Sequence, residues 1–537
     1  MNNSNDVSLK WNIYSLIASI LATGIVSVWL GQDSNWDLWN YHFYNPWAFV
    51  HGRMAVDIAA AQLQTYFNPL ADLPFYAMVA ADFPPQLVSF VLAIPVGVSA
   101  WLLGKILFVL FRDVPDSQKI EVIVLSWIIG VSASHAVSAI GTTTNDWMAI
   151  PLMLGALWIV LRDVAASQLS RRALLFSGLL MGFAVGMKLS NAHFAVGLSV
   201  AILLRRKISV PTLRESFEFS AYLFVGFLMA AGYWMLILWN NFGSPLFPFF
   251  NNYIHSPWWI DHPGSFRVYG PKTKLEWLWF PFRYFRLEAG FLSENFFRDW
   301  RIPLVYSLGI VLFIRWCWMT IRFRFLGGKV AAGSEARENW RLLIVFCIVS
   351  FLIWTAQHSI QRYIILLEIL SGALMIGAVR VLFPGRMLVP IISVLAIAAT
   401  FPTSYPNFGR IAYKERWFDV KLPTVEANAL ILLVSQDPMS FTFPYFPKDA
   451  RFVGIETTMT DRRFGQELER SKIYKKMQQV VSEHQGPLYL LTHPKGKGHD
   501  ALVPYGLQVV AGSCREFETN MVTSPFELCK VGRRPAQ

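Results

Sequence analysis

The stretch GQDSNWDLWNYHFYNPWAFVHGRMAVDIAAAQLQTYFNPLADLPFY, residues 31–76, follows the first long apolar run of the chain and precedes the second. It is too polar to span a bilayer and too rich in rings to be a passive linker. It carries the acids Asp33, Asp37, Asp57 and Asp72 beside Tyr41, His42, Tyr44, Arg53, Gln64, Tyr66 and Asn68. Acids set among rings that stack on sugars, on a loop at a membrane surface, mark a candidate site. Plainer readings stand beside this one. Asp57 follows Arg53 at helical i,i+4 spacing, which suits a surface pair, and Asp33 and Asp72 read as solvated loop acids.

Outward from this stretch the chain is apolar. Of 537 residues 54% are hydrophobic and 15% charged, and the mean hydropathy is +0.40. A soluble domain carries roughly 25% charge, so the composition predicts an α-helical polytopic membrane protein. The net charge of +12 fits cytoplasmic loops and gives little support to nucleic acid as a partner. Many of the 21 Trp lie at the ends of apolar runs, as an interfacial belt requires. Cys514 and Cys529 fall in the polar tail and are free to form a disulfide if that tail is extracytoplasmic. No clustered Cys/His pattern marks a structural metal site.

Lys10 precedes the run Trp11–Leu30, and no small-residue cleavage site follows it, which predicts an uncleaved first helix with its N-terminus inside. The 32–82 loop is then outside. Further runs lie near 86–111, 120–139, 147–161, 173–187, 191–204, 218–239, 302–321, 342–357, 364–382 and 387–401, about eleven spans in all. Inner loops carry Lys105, Arg112, Arg171, Arg172, Arg205, Arg206, Lys207, Arg322, Arg324, Lys329, Arg380 and Arg386; the short outer loops 140–146 and 188–190 carry only Lys188. This asymmetry places the protein in the cytoplasmic (inner) membrane, with its N-terminus cytoplasmic and its C-terminus outside. The chain divides into a membrane module, 1–401, with a long outer loop at 240–301; a Pro-rich linker, 402–426; and a small extracytoplasmic α/β domain, 427–537. In the last, strands are expected at Ala429–Ser435, Phe452–Glu456, Pro487–Thr492 and Leu507–Ala511, with a helix over Phe464–His484. Lys495-Gly496-Lys497-Gly498 is too short for a phosphate loop and reads as a solvated turn; His493 and His499 flank it as loop histidines.

Four features converge outside: the 32–76 loop with Asp37; Gly141-Thr142-Thr143-Thr144-Asn145-Asp146; Gly186-Met187-Lys188; and Gln361-Arg362-Tyr363. Ionisable groups at such depths are costly and are functional candidates by default. Lys188 also suits snorkelling, Arg362 a lipid phosphate, and Asp146 an N-cap. Taken together they suit an anionic lipid-linked substrate. A carboxylate can take a proton from a hydroxyl, and Lys and Arg can hold a phosphate as it leaves.

Trp36-Asp37-Leu38-Trp39-Asn40-Tyr41-His42 continuing through Gly52-Arg53 to Asp57, then Asn145-Asp146, Gly182-Phe183-Ala184-Val185-Gly186-Met187-Lys188, Phe242-Gly243-Ser244-Pro245-Leu246-Phe247-Pro248 and Arg362-Tyr363 resemble motifs of the GT-C superfamily of integral-membrane glycosyltransferases, on the polyprenol-dependent mannosyltransferase side. The resemblance spans roughly residues 10–400 and leaves the tail uncovered. It implies transfer of a hexose or pentose from a polyprenyl-phosphate donor to a lipid, glycan or protein acceptor, with inversion. It gives Asp37 the role of base, with Asp33 as rival, and gives Asp146 a part in the same chemistry. Lys188 and Arg362 would hold the donor phosphate. Asp33, Tyr41, His42, Asp57, Gln64, Tyr66, Asn68 and Gln361 would line the substrate pocket. Asp37 is flanked by Trp36 and Leu38, so the adjacent acidic pair of many members is absent and neither metal nor cofactor is implied. A transporter of lipid-linked saccharides and a non-catalytic scaffold for envelope glycan assembly are the alternatives.

Overall fold

The computed structural model describes residues 2–164, 168–262, 269–326, 335–493 and 498–534. Lys329 and the expected turn at Lys495-Gly496-Lys497 lie outside them. Every one of the expected apolar runs contains or forms a helix: Asn2–Leu30, Pro85–Leu92 with Ile94–Leu110, Asp116–Val131, Asp146–Asp163, Arg171–Met187, Ala192–Leu204, Val210–Phe242, Arg301–Leu326, Glu335–Gln357, Ile365–Leu382 and Leu388–Thr400. Among the described residues six helices are both long and apolar enough to cross a membrane: Lys10–Leu30, Pro85–Leu110, Val210–Phe242, Arg301–Thr320, Arg337–Gln357 and Gln361–Leu382. The chain is a multi-pass membrane protein.

Close packing near the site depends on small residues. Gly178, Gly182 and Gly186 face the Val210–Phe242 helix, and a Cβ on Gly182 would collide with the Leu223 carbonyl. Such a stripe lets two helices meet backbone to backbone. The Gly-x-x-x-Gly-x-Lys phrase is therefore a packing face that ends at Lys188, which pairs with Asp146.

Residues 31–82 are built of short turns: Leu38–His42 in a wide π turn, Tyr44–Val50, Arg53–Ala55, Gln62–Tyr66 and Leu73–Ala80. They form no separate lobe. The tail folds as a sheet of β1 (Leu430–Val434), β2 (Arg451–Glu456), β3 (Leu488–Thr492), β4 (Leu507–Val509), β5 (Arg515–Phe517) and β6 (Phe526–Arg533). The order is β2-β1-β3-β6-β4, with β5 on β6. β1 runs parallel to β2 and β3, and β6 is antiparallel to β3. The four expected strands are present; β5 and β6 were not foreseen. The expected helix breaks at Ser471 into Gly465–Arg470 and Lys472–Glu483, because the Ser471 hydroxyl caps the second piece at Tyr474 N. Cys514 and Cys529 are joined in a disulfide.

The sheet shares its cores with residues 38–76. Ile58 adds to the β2 edge, donating from N to Phe452 O at 2.9 Å and accepting from Gly454 N at 2.8 Å. Arg53 and Asp57, expected as a surface pair, are buried: the guanidinium holds the carboxylate at 2.7 Å and also donates to Ala450 O at 2.5 Å. Phe452 N donates to Asp57 at 3.0 Å. Phe43 packs on Phe418 and Tyr44 on Phe443. The tail thus acts as the wall that folds the candidate loop.

Candidate active site

Asp37 closes the first helix-to-loop passage and starts the π turn. Its Oδ2 accepts from Arg362 Nη1 at 2.5 Å, across 325 residues of chain. Asp146 begins its helix after Asn145, which sits at φ +62°, a left-handed position that Asn tolerates better than most residues. Asp146 Oδ1 accepts from Lys188 Nζ at 2.5 Å, and the same ammonium donates to Thr144 O at 3.0 Å. Both cations lie over the Tyr363 ring, Lys188 Nζ at 4.9 Å and Arg362 Cζ at 5.5 Å from its centre. Four distant segments therefore deliver two ion pairs around one aromatic face.

Two further ties bind the loops that carry these pairs. Asp33, expected to be solvated, is fully buried and accepts from Thr143 N and Thr143 Oγ1, each at 2.8 Å, and from Asn35. Asp72, also expected to be solvated, is buried; its Oδ1 meets His42 Nδ1 at 2.6 Å and accepts from Asn145 Nδ2 at 2.6 Å. Asp72 and Asn145 are the members that sequence reasoning did not single out as a pair. The only signal was the Asn immediately before Asp146.

The remaining expected residues sort by position. Tyr41 packs against His42 and Phe67, within the site. Asn68 staples the helices beside Lys188: its amide donates to Gly186 O and Ala230 O at 3.0 Å, and its Oδ1 accepts from Tyr233. Gln64 contributes its carbonyl to Asn45. Tyr66 lies among Phe242 and Phe247, and Asp57 faces the sheet; neither joins the ion-pair cluster. Gln361 adjoins the cluster, but both ends of its amide are engaged, with Tyr284 and with Glu368 at 2.6 Å. In the tail, His499, Glu527 and Cys529 lie close together, yet the Cys529 sulfur is in the disulfide and is no thiolate ligand.

Burial and ion pairing shift the charged groups of the cluster in different directions. Burial pushes the Asp37 carboxyl up, but Arg362, with His42 and Lys188, more than reverses this and holds it below the ordinary carboxylate range. Burial lowers the Lys188 ammonium despite Asp146, and raises Asp72 despite His42 and Asn145. Asp146 Oδ2, Arg362 Nε and His42 Nε2 are buried with no hydrogen-bond partner among the described residues. Buried polar atoms normally find partners, so the cluster has spare capacity on both its acidic and its basic side. Asp146 and Arg362 border Met153, Phe194 and Leu366 across a gap with no room for a water.

No family model and no curated protein matches this sequence. Solved structures do match in fold. ArnT from Cupriavidus metallidurans in the apo state aligns over 98% of this chain and 98% of its own, at 13% identity and a TM-score of 0.52. The same protein bound to undecaprenyl phosphate aligns over 96% and 97%, at 13% identity and a TM-score of 0.50. The oligosaccharyltransferase of Archaeoglobus fulgidus, in the apo form, aligns over 89% of this chain and 70% of its own, at 14% identity and a TM-score of 0.43. The chain shares the fold of ArnT. The likeness runs nearly end to end in ArnT, so it takes in the tail that the sequence motifs left uncovered. It does not bear out the mannosyltransferase side of the resemblance.

Proposed function

We propose that this protein transfers a sugar from a polyprenyl-phosphate donor to a hydroxyl of a lipid, glycan or protein acceptor, on the extracytoplasmic face of the cytoplasmic membrane. The observation that carries this reading is the doubled ion pair. Lys188 and Arg362 are neutralised by carboxylates in the resting site, and an arriving phosphate can replace both carboxylates at once. The undecaprenyl phosphate bound to ArnT supports the same class of ligand here.

The exchange has a chemical consequence. Once the phosphate takes the Arg362 guanidinium, Asp37 loses the partner that weakens it as a base. It then accepts the acceptor's hydroxyl proton as the oxygen bonds to the anomeric carbon and the carbon–oxygen bond to phosphate breaks. The polyprenyl phosphate leaves held by Lys188 and Arg362. Attack opposite the leaving group inverts the anomeric centre. His42, oriented by Asp72, offers its free Nε2 to a sugar hydroxyl, and Tyr41 gives the sugar an apolar face.

The test is transfer by purified protein in nanodiscs, using a panel of radiolabelled polyprenyl-phosphate sugars and a lipid extract of the host, with Asp37→Asn in parallel. Transfer by the wild type, lost in the variant, supports the reading. Donor binding without transfer of any sugar would favour a transporter or scaffold.

A further inference from the structure

A carboxylate inside the membrane module is not used by the scheme above. Glu368 lies in the helix Ile365–Leu382 and is 1% exposed. This helix belongs to the span Gln361–Leu382, the most enclosed of the six candidate spans at 78% buried. An acid at such a position is costly and is kept where its partners matter. Its two oxygens serve one side-chain amide and one backbone N–H. Oε1 accepts from Gln361 Nε2 at 2.6 Å, and Oε2 accepts from Ala136 N at 3.0 Å. His135 Nδ1 lies 3.4 Å from Oε1.

Gln361 adjoins the ion-pair cluster directly, and Ala136 reaches it through the Trp147 side chain. Gln361 precedes Arg362. Ala136 O accepts from Trp147 Nε1 at 3.2 Å, and Trp147 follows Asp146. One carboxylate is therefore tied through side chains to the residue before Arg362 and, by way of Ala136, to the residue after Asp146. Gln361 is held from the outside as well. Its backbone N donates to Leu292 O at 2.8 Å, and its side-chain oxygen accepts from the Tyr284 hydroxyl. Tyr284 and Leu292 belong to the outer loop 240–301, which is thereby latched to the same point. Ser134, in the Ala136 segment, is secured to this loop in turn: Ser134 N donates to Asp299 at 2.9 Å.

We propose that Glu368 is a positioning residue: through Gln361 and Ala136 it sets Arg362 and Asp146 at the spacing that one donor phosphate requires, and Tyr284 couples the outer loop to that setting. The inference rests on the phosphate-binding reading of the cluster. Glu368 touches no substrate and acts through its two neighbours.

A double-mutant cycle tests it, with undecaprenyl phosphate binding to full-length protein in nanodiscs as the readout and thermal unfolding measured in parallel. Glu368→Gln keeps the size of the side chain but leaves one of its two donors unserved. It is expected to weaken binding about tenfold in the Arg362 background and less than about twofold in the Arg362→Ala background, because residues that act as a unit are not additive. Tyr284→Phe, which adds no buried charge and keeps the ring, is expected to show the same dependence on Arg362 and stands in if Glu368→Gln does not fold. Losses that are equal in both backgrounds, or a fall in melting temperature with unchanged affinity, would reduce Glu368 and Tyr284 to fold stability and overturn the proposal. Failure of the wild type to bind undecaprenyl phosphate would instead strike the reading on which it rests.

Discussion

Asp37 and Arg362 neutralise each other, so in the proposed scheme Asp37 is the weakest base when no donor is bound. Removing the carboxylate separates its two effects. Asp37→Asn is expected to lower transfer by about 10²–10⁴-fold, the range of a lost general base, while undecaprenyl phosphate binds at least as tightly, since Arg362 is no longer shared. Weaker binding in that variant would contradict the exchange. The same idea sets the pH dependence. In the free enzyme burial raises Asp37 and Arg362 more than reverses it, so the carboxyl remains ionised until the pH falls below the ordinary carboxylate range. In the proposed donor complex the guanidinium would bind the phosphate and the carboxyl would rise. The acid limb of kcat, which reports the bound state, is expected at higher pH than that of kcat/KM, which reports the free enzyme; coincident limbs would contradict it. On the alkaline side, burial lowers Lys188. Donor affinity is present while the ammonium is charged and is expected to fade before the ordinary lysine value of about 10.4 is reached.

At the scale of elements, the loop that bears Asp37 is shaped by the tail sheet. Arg53 bridges Asp57 and the carbonyls of Lys448 and Ala450. Arg53→Ala strands a buried carboxylate, a loss of about 3–5 kcal/mol for such pairs. Hydrogen exchange is expected to rise in residues 53–62 and in β2 together; exchange unchanged in β2 would show that the two do not depend on each other. Much of this was legible in the sequence. The apolar runs were readable because a sustained run of some 20 apolar residues is a strong signal. Asp146, Lys188 and Arg362 stood out as charges isolated beside such runs, and Asp37 as an acid at the loop start. Their pairing was not legible, because 325 residues separate Asp37 from Arg362 and only tertiary structure joins them. Asp33, Asp57 and Asp72 were misread as solvated or surface groups, since local spacing carries no information about burial. The docking of the sheet was hidden because Trp417, Phe418, Phe441 and Phe443 fall in aperiodic segments. β5 was missed because three residues carry no period, and β6, though eight residues long, because Cys529 and Lys530 break its alternation of apolar and polar positions.

For the whole molecule, the helices, the outer loops and the sheet form one frame whose active face is expected outside. Single cysteines on a background lacking Cys317 and Cys347 check this orientation. Lys421→Cys is expected to react with a membrane-impermeant maleimide in intact cells, and Lys207→Cys only after permeabilisation; the reverse pattern would place the site in the cytoplasm. The most direct test of the central claim is equilibrium binding of undecaprenyl phosphate to the protein in nanodiscs, wild type against Lys188→Ala with Arg362→Ala. The account predicts saturable binding by the wild type and a loss of affinity of at least about 100-fold in the double variant, as expected when two charge-assisted contacts of roughly 1.5–3 kcal/mol each are removed. Equal affinity in the two proteins would contradict it.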